Sequence, residues 1–355
     1  MKAGQSRRRT VAATAVAVLL AVSGCTNGGA ARDTDGSGKP SAGRSGAGSG
    51  TMRGITLPSW YRTDYDSPAA DGYLRGIRAT GARWVTFTPT WYQRRRTDSS
   101  MHTTEETASD GSLRRIVRRA HALGLKVMIK PHVDLPGDED RADIRPRDRT
   151  AWFTAYRHFI THYADLAAGA GAEQFAVGTE LAGVSGDLTG WTGVVNAVRD
   201  HYDGPLTYAA NYDEYQKIHF WKEVDLIGID AYWPLSAGPT ADPGRLRRAW
   251  RPIRDELAAY AHRQGRRILF TEAGYVSQRG STTAPYSWTV SRQPAPAEQA
   301  AAYRALLDSF TDRQWWAGVC WWMWDDWPGS GETPAGLAYS PHGKPAEDVL
   351  RERWG

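Results

Sequence analysis

Cysteine is nearly missing from this chain: 355 residues carry two, Cys25 and Cys320. No disulfide framework can be built from them, so the fold must hold by burying apolar surface. Cys320 lies in a Trp-rich apolar run and reads as a buried, inert thiol. Histidine and cysteine nowhere recur at metal-ligand spacing, which excludes a catalytic metal, and no cofactor is expected. No glycine-rich phosphate loop follows the first strand-like run, which argues against a nucleotide-binding fold. Repeats of solenoid length are absent too.

Charge of one sign is also scarce. The chain has 44 Lys and Arg against 39 Asp and Glu. Its first 24 residues hold Lys2, Arg7, Arg8 and Arg9 and no acid, then an apolar run from Val11 to Val22 and the segment Val22-Ser-Gly-Cys25. That run is too short to span a bilayer as a mature helix. A basic start, a short apolar stretch and small residues describe a secretory signal. The triplet before Cys25 resembles a bacterial lipobox, which implies cleavage there and lipid on the Cys25 thiol. The alternative is an ordinary signal with an incidental cysteine and a secreted product. Paired arginines leave a twin-arginine route open. Without residues 1–24 the basic residues fall from 44 to 40 against 39 acidic ones. A nearly neutral protein gives no electrostatic support to nucleic-acid binding, and no nucleic-acid partner is expected.

Residues 25–50 are Gly, Ser, Ala, Asp and Arg with almost nothing apolar. They cannot bury enough surface to offset their ordering entropy, which predicts a flexible tether. Residues 51–355 suit one large α/β domain, expected to act as a monomer on the outer face of the cell membrane. Within it, β-rich runs recur at Arg53–Leu57, Ala82–Thr88, Lys126–Lys130, Gln174–Thr179, Pro205–Ala209, Leu226–Asp230, Arg267–Thr271 and Gly318–Trp324. Helical stretches separate them at Gly111–Leu123, Thr150–Gly169, Gly190–His201, Pro243–Gln264 and Ala297–Arg313. Strand–helix alternation implies a parallel sheet, and eight units in a domain of this size favour a closed (β/α)8 TIM barrel.

Two of the eight runs stop on Thr-Glu: Gln174–Glu180 and Arg267–Glu272. Glu is seldom buried without a partner, so a carboxylate ending a buried strand is poorly suited to a core. It is well placed for an active site at the C-terminal rim of a barrel. One Glu on each of two strands is what glycosidic bond cleavage needs. The competing account is a pair of rim carboxylates satisfied by Arg or Lys. Period-two alternation puts Ala176, Gly178 and Glu180 on one face, and Ile268, Phe270 and Glu272 on another. Lys130 pairs with His132, and Asp230 with Tyr232, in the same way.

These segments resemble glycoside hydrolase family 113, a clan A family whose described members are mainly β-1,4-mannanases. The resemblance is carried by Ala120-His-Ala-Leu-Gly-Leu-Lys-Val-Met-Ile-Lys-Pro-His-Val-Asp134, Val177-Gly-Thr-Glu-Leu181, Gly228-Ile-Asp-Ala-Tyr232, Thr271-Glu-Ala-Gly-Tyr275 and Trp321-Trp-Met-Trp324. Many clan A families have Asn before the first Glu where this chain has Thr179. The resemblance implies a retaining hydrolase acting on polysaccharide or oligosaccharide, with Glu180 as acid/base and Glu272 as nucleophile. The same chemistry on glucan or xylan, or an inactive carbohydrate-binding barrel, are the alternatives, since specificity lives in loops.

Around the two glutamates, Tyr232 is a candidate donor to the nucleophile. Lys130 and His132 are candidates for sugar hydroxyls, against a structural salt bridge to Asp134 or Glu180. Asn211 and Tyr212 are candidates for the same pocket, against loop capping. Sixteen Trp and sixteen Tyr form a heavy aromatic load, and flat aromatics suit the apolar faces of sugar rings. Trp322 and Trp324 share one face at the end of the last strand, and one of them is expected to floor the cleavage subsite. Trp60, Trp91 and Trp233 are candidates for flanking subsites, against ordinary core packing.

Overall fold

The computed structural model describes residues 50–137, 139–327 and 334–355. The expected leader, Cys25 and the tether through residue 49 lie outside them. Ten strands follow in chain order: β1 (Met52–Leu57), β2 (Trp84–Phe87), β3 (Thr90–Tyr92), β4 (Lys126–Ile129), β5 (His132–Asp134), β6 (Gln174–Thr179), β7 (Leu206–Asn211), β8 (Leu226–Asp230), β9 (Ile268–Ala273) and β10 (Trp316–Trp321). Seven helices are interleaved: α1 (Pro68–Ala79), α2 (Asp110–Ala122), α3 (Arg149–Ala170), α4 (Leu188–Arg199), α5 (Pro243–Gln264), α6 (Pro296–Phe310) and α7 (Pro345–Trp354). Eight strands close a barrel in the order β1-β10-β9-β8-β7-β6-β4-β2, and β2 returns to β1. Every neighbouring pair in it is parallel. This is the (β/α)8 architecture that the sequence predicts.

Local chemistry sets the helix starts. Ser67, Ser109, Asp148, Asp187 and Asp242 each accept a hydrogen bond from a first-turn amide of α1 to α5, respectively. These are N-caps that satisfy donors the helix leaves open. Gly171 and Gly265 end α3 and α5 in the left-handed conformation, at φ 74° and 60°, where a side chain is unfavourable.

Beyond Pro89 and Pro131 the β2–β4 pair continues as β3–β5. The amides of Lys130 and His132 still donate across the gap, to Phe87 and Pro89 at 2.9 Å, whereas Pro131 has no N–H to give. The last barrel strand is shifted from its expected span. β10 stops at Trp321, although the amides of Trp322 and Trp324 still donate to Ala273 and Thr56 at 2.8 Å.

The barrel interior changes character along its axis. Near the N-terminal ends it is apolar, filled by Met52, Met128, Leu226, Leu269 and Cys320. Two residues past Met128 comes Lys130, four past Leu226 comes Asp230, and two past Leu269 comes Thr271, all enclosed. Period-two alternation thus carries the same inward faces from an oily floor to a polar rim. A larger apolar layer lies between barrel and helices and includes Trp152, Trp191, Trp250, Phe270 and Trp321.

Candidate active site

Both strand-end glutamates reach the rim, but not by simple alternation. Opposite β7, Ala176 pairs with Thr207 and Thr179 with Ala209, so β6 holds one extra residue there. Opposite β8, Ile229 pairs with Phe270 and Asp230 with Glu272, which gives β9 an extra residue at Thr271. A bulge of this kind re-aims the side chains beyond it.

The expected faces are corrected accordingly. Gly178 does not share the inward face. A Cβ there would meet Trp191 Cη2 at 2.7 Å and the Tyr156 hydroxyl at 2.9 Å, both in the helix layer. Phe270 also points outward, 4.9 Å from Phe310 between ring centroids, while Leu269 lines the interior. Without the bulge, Glu272 would follow Phe270 outward. Glu180 has φ 56°, the only positive φ of a residue other than glycine among the described residues. A left-handed backbone costs a side-chain-bearing residue free energy, of order 1–3 kcal/mol, and such strain clusters at functional sites.

Glu272 accepts hydrogen bonds at both oxygens. Lys130 Nζ donates to Oε1, and the Tyr232 hydroxyl donates to Oε2 at 2.7 Å. The side chain of Lys130 is 0% exposed, so it has no surface to offer a sugar. The expected sugar contact of Lys130 is replaced by an ion pair with Glu272. Its ammonium is also 3.8 Å from Asp230 Oδ2. Burial pulls Lys130 down, but Asp230 and Glu272 more than offset this and raise it.

Glu180 sits in a different setting. Arg141 Nη1 donates to its Oε2 at 3.1 Å, and Arg141 Nε donates to Asp134 Oδ1 at 2.9 Å. Burial pushes the Glu180 carboxyl well above the usual range, with help from the charges of Asp230 and Glu272 and against the pull of Arg141. Burial likewise raises Asp230 to about 7, Lys130 opposing and Glu272 adding. A carboxyl raised by burial beside one that accepts at both oxygens is a pairing suited to an acid and a nucleophile acting on a glycosidic bond.

The aromatic candidates separate into two groups. Trp322 and Tyr232 belong to a rim cluster with Val276, Met323 and Tyr339, against which Trp60 packs. His132 stacks on Trp322 at 6.3 Å and 20°. Trp60 also donates through Nε1 to Asp325 at 3.3 Å.

The second group lies elsewhere. Trp324 does not share the Trp322 face: it packs in the helix layer, where a Cβ on Gly76 of α1 would lie 2.6 Å from its ring. Trp91 packs against Phe159 and Tyr163 of α3 and donates to the Tyr163 hydroxyl at 3.0 Å. Trp233 packs against Trp250 and Phe270. Trp324 is a core side chain, whereas Trp91 and Trp233 are partly buried against the helix layer, and Trp233 also lies 5.6 Å from Tyr212 between ring centroids. Asn211 ends β7 with its amide bonded to Glu214 Oε2 at 3.0 Å, a turn-closing contact.

Arg141 escaped the sequence reading because it sits in a short 3-10 turn after β5, with no periodicity to mark it. Its only signal is an arginine seven residues after Asp134, past a strand that already carries a site candidate. Tyr286 and Trp288 were likewise missed. They come from the irregular segment after β9 and pack against the rim cluster, with Tyr286 stacked on Tyr212 at 6.4 Å and 8°.

Known structures share this architecture. A complex of a GH113 β-1,4-mannanase is 24% identical, with a TM-score of 0.77 over 86% of this chain and 98% of that one. The GH113 β-mannanase AaManA from Alicyclobacillus acidocaldarius, in complex with ManMIm, is 28% identical, with a TM-score of 0.77 over 86% and 97%. A Faecalibacterium prausnitzii β-glucuronidase shares the fold alone, at 15% identity and a TM-score of 0.58, with 48% of its length covered. No curated protein matches the chain. The model of Glycoside Hydrolase Family 113 matches residues 58–344, and with that span the chain belongs to this family of glycoside hydrolases.

Proposed function

We propose that this protein is a retaining hydrolase of β-1,4-linked mannan or manno-oligosaccharides, working by double displacement. The observation that carries the mechanism is the contrast between the two glutamates. Glu272 accepts from Lys130 and Tyr232, while burial holds the Glu180 carboxyl well above the usual range. In the first step a Glu272 oxygen bonds to the anomeric carbon, the glycosidic C–O bond breaks, and the leaving oxygen takes the Glu180 proton. In the second, Glu180 removes a proton from water, the water oxygen bonds to the anomeric carbon, and the ester to Glu272 breaks. Two inversions return the β-anomer.

Mannose as the sugar is supported by the family and by the two mannanases described above. NMR of the first-formed product from mannohexaose tests the mechanism: β is expected, and an initial α-anomer overturns it. Turnover of cello- or xylo-oligosaccharides at rates equal to manno-oligosaccharides removes mannan as the preferred substrate. Anchoring is proposed alongside: cleavage before Cys25 and lipid on its thiol, with multiple acyl chains because one binds only marginally. Mass spectrometry of the mature N-terminus checks it, and an unmodified start elsewhere discards it.

A further inference from the structure

Lys130 has two carboxylates within reach and bonds one. Its enclosed ammonium donates to Glu272 Oε1, with Asp230 Oδ2 3.8 Å away. Asp230 is fully enclosed too. Its Oδ1 accepts from the Thr271 hydroxyl at 2.6 Å, while its Oδ2 accepts no hydrogen bond. Buried polar atoms are nearly always satisfied, and an unpartnered carboxylate oxygen is costly enough to need a reason. Asp230 and Glu272 are register partners at the C-terminal ends of β8 and β9. The ammonium therefore lies between an acceptor in use and an acceptor in reserve.

The double displacement supplies the reason. When Glu272 bonds to the anomeric carbon, its carboxylate becomes an uncharged ester, and the negative charge appears on Glu180 as it protonates the leaving oxygen. Lys130 then faces a neutral group with no solvent in reach, and an unpaired buried ammonium is strongly destabilising. We propose that Asp230 is the counter-ion that Lys130 moves to in the glycosyl-enzyme, its Nζ closing on Asp230 Oδ2 and returning when hydrolysis restores the Glu272 carboxylate. Asp230 is then a positioning residue that acts through Lys130 and stabilises the covalent intermediate. Its surroundings agree. Burial raises Asp230, Lys130 opposes, and the Glu272 charge adds to the rise. Ester formation removes that last contribution, so Asp230 becomes a better anion at the step that calls for one.

The inference rests on the two-glutamate reading, and its test separates the two. Asp230→Asn keeps the shape and deletes the charge. With 2,4-dinitrophenyl β-mannobioside, kcat/KM reports glycosylation and kcat reports hydrolysis of the intermediate. We expect glycosylation to fall about tenfold or more while hydrolysis is unchanged or faster, because only the intermediate loses its counter-ion. Any other partition, equal slowing of both steps included, overturns the proposal, as does no effect.

A measurement on the unaltered enzyme stands independently of how that variant folds. After reaction with 2-deoxy-2-fluoro-β-mannobiosyl fluoride, a crystal structure should show Lys130 Nζ at about 2.7–3.2 Å from Asp230, the hydrogen-bond range. An ester on Glu272 with Lys130 still beyond about 3.5 Å from Asp230 defeats this proposal alone. Absence of any ester on Glu272 removes the two-glutamate reading and this inference with it.

Discussion

Arg141 donates through Nη1 to Glu180 Oε2 at 3.1 Å, and this contact opposes the rise that burial and the neighbouring carboxylates impose on the Glu180 carboxyl. Burial and the charges of Asp230 and Glu272 favour the neutral acid, whereas the guanidinium favours the carboxylate. The proposed mechanism uses both forms: the acid to protonate the leaving oxygen, the base to activate water. Arg141→Met should therefore let the Glu180 carboxyl rise further. The sign follows directly. Glycosylation requires the protonated form, so kcat/KM falls as pH climbs through the Glu180 value, and in the variant that fall should occur at higher pH. A kcat/KM–pH profile with its alkaline limb moved to lower pH contradicts the assignment.

The same residue governs leaving-group dependence. Glu180→Ala should cut turnover of mannan by several orders of magnitude. A dinitrophenyl glycoside should recover glycosylation, because that group departs without a proton. The comparison needs only kcat/KM for natural and activated substrates in the two proteins. Equal loss on both would place the acid elsewhere.

Tyr232 tests the other glutamate. Its hydroxyl is 2.7 Å from Glu272 Oε2, and a hydrogen bond to a charged group contributes about 1.5–3 kcal/mol. Tyr232→Phe should thus lower kcat/KM by roughly 10- to 100-fold, with little change in thermal stability, since the ring and its packing remain. A large fall in Tm with unchanged kinetics would mark the hydroxyl as structural instead.

Much of this fold is legible in the chain. All eight barrel strands lie at or within a few residues of their expected positions, because each is a short apolar run bounded by turn residues. Strand ends were legible for the same reason, and with them Glu180, Glu272 and Tyr232. Side-chain direction was less so. One extra residue in β6 and one in β9 break the period of two just before each glutamate; Gly178 inside β6 is a bulge signal, while no residue type marks the one in β9. Trp324 was misplaced by a related limit: alternation holds only while the strand does, and β10 ends at Trp321. Arg141 and Trp288 come from irregular segments, where position depends on contacts distant in sequence.

The tryptophans give a final prediction, because Trp322 and Trp324 pack in different clusters, the rim and the helix layer. Trp324 stacks on His342 at 4.7 Å and packs against α1. Removing such a ring from a core costs about 3–5 kcal/mol. Trp324→Ala should lower Tm by several degrees while the surviving folded enzyme keeps its KM. Trp322 sits in the rim cluster with Tyr232, and Lys130 Nζ lies 5.9 Å from its ring. Trp322→Ala should raise KM for manno-oligosaccharides or lower kcat/KM strongly, with the smaller thermal effect of the two. Calorimetry and steady-state kinetics on both variants decide it, and the reverse pattern would return Trp324 to the cleft.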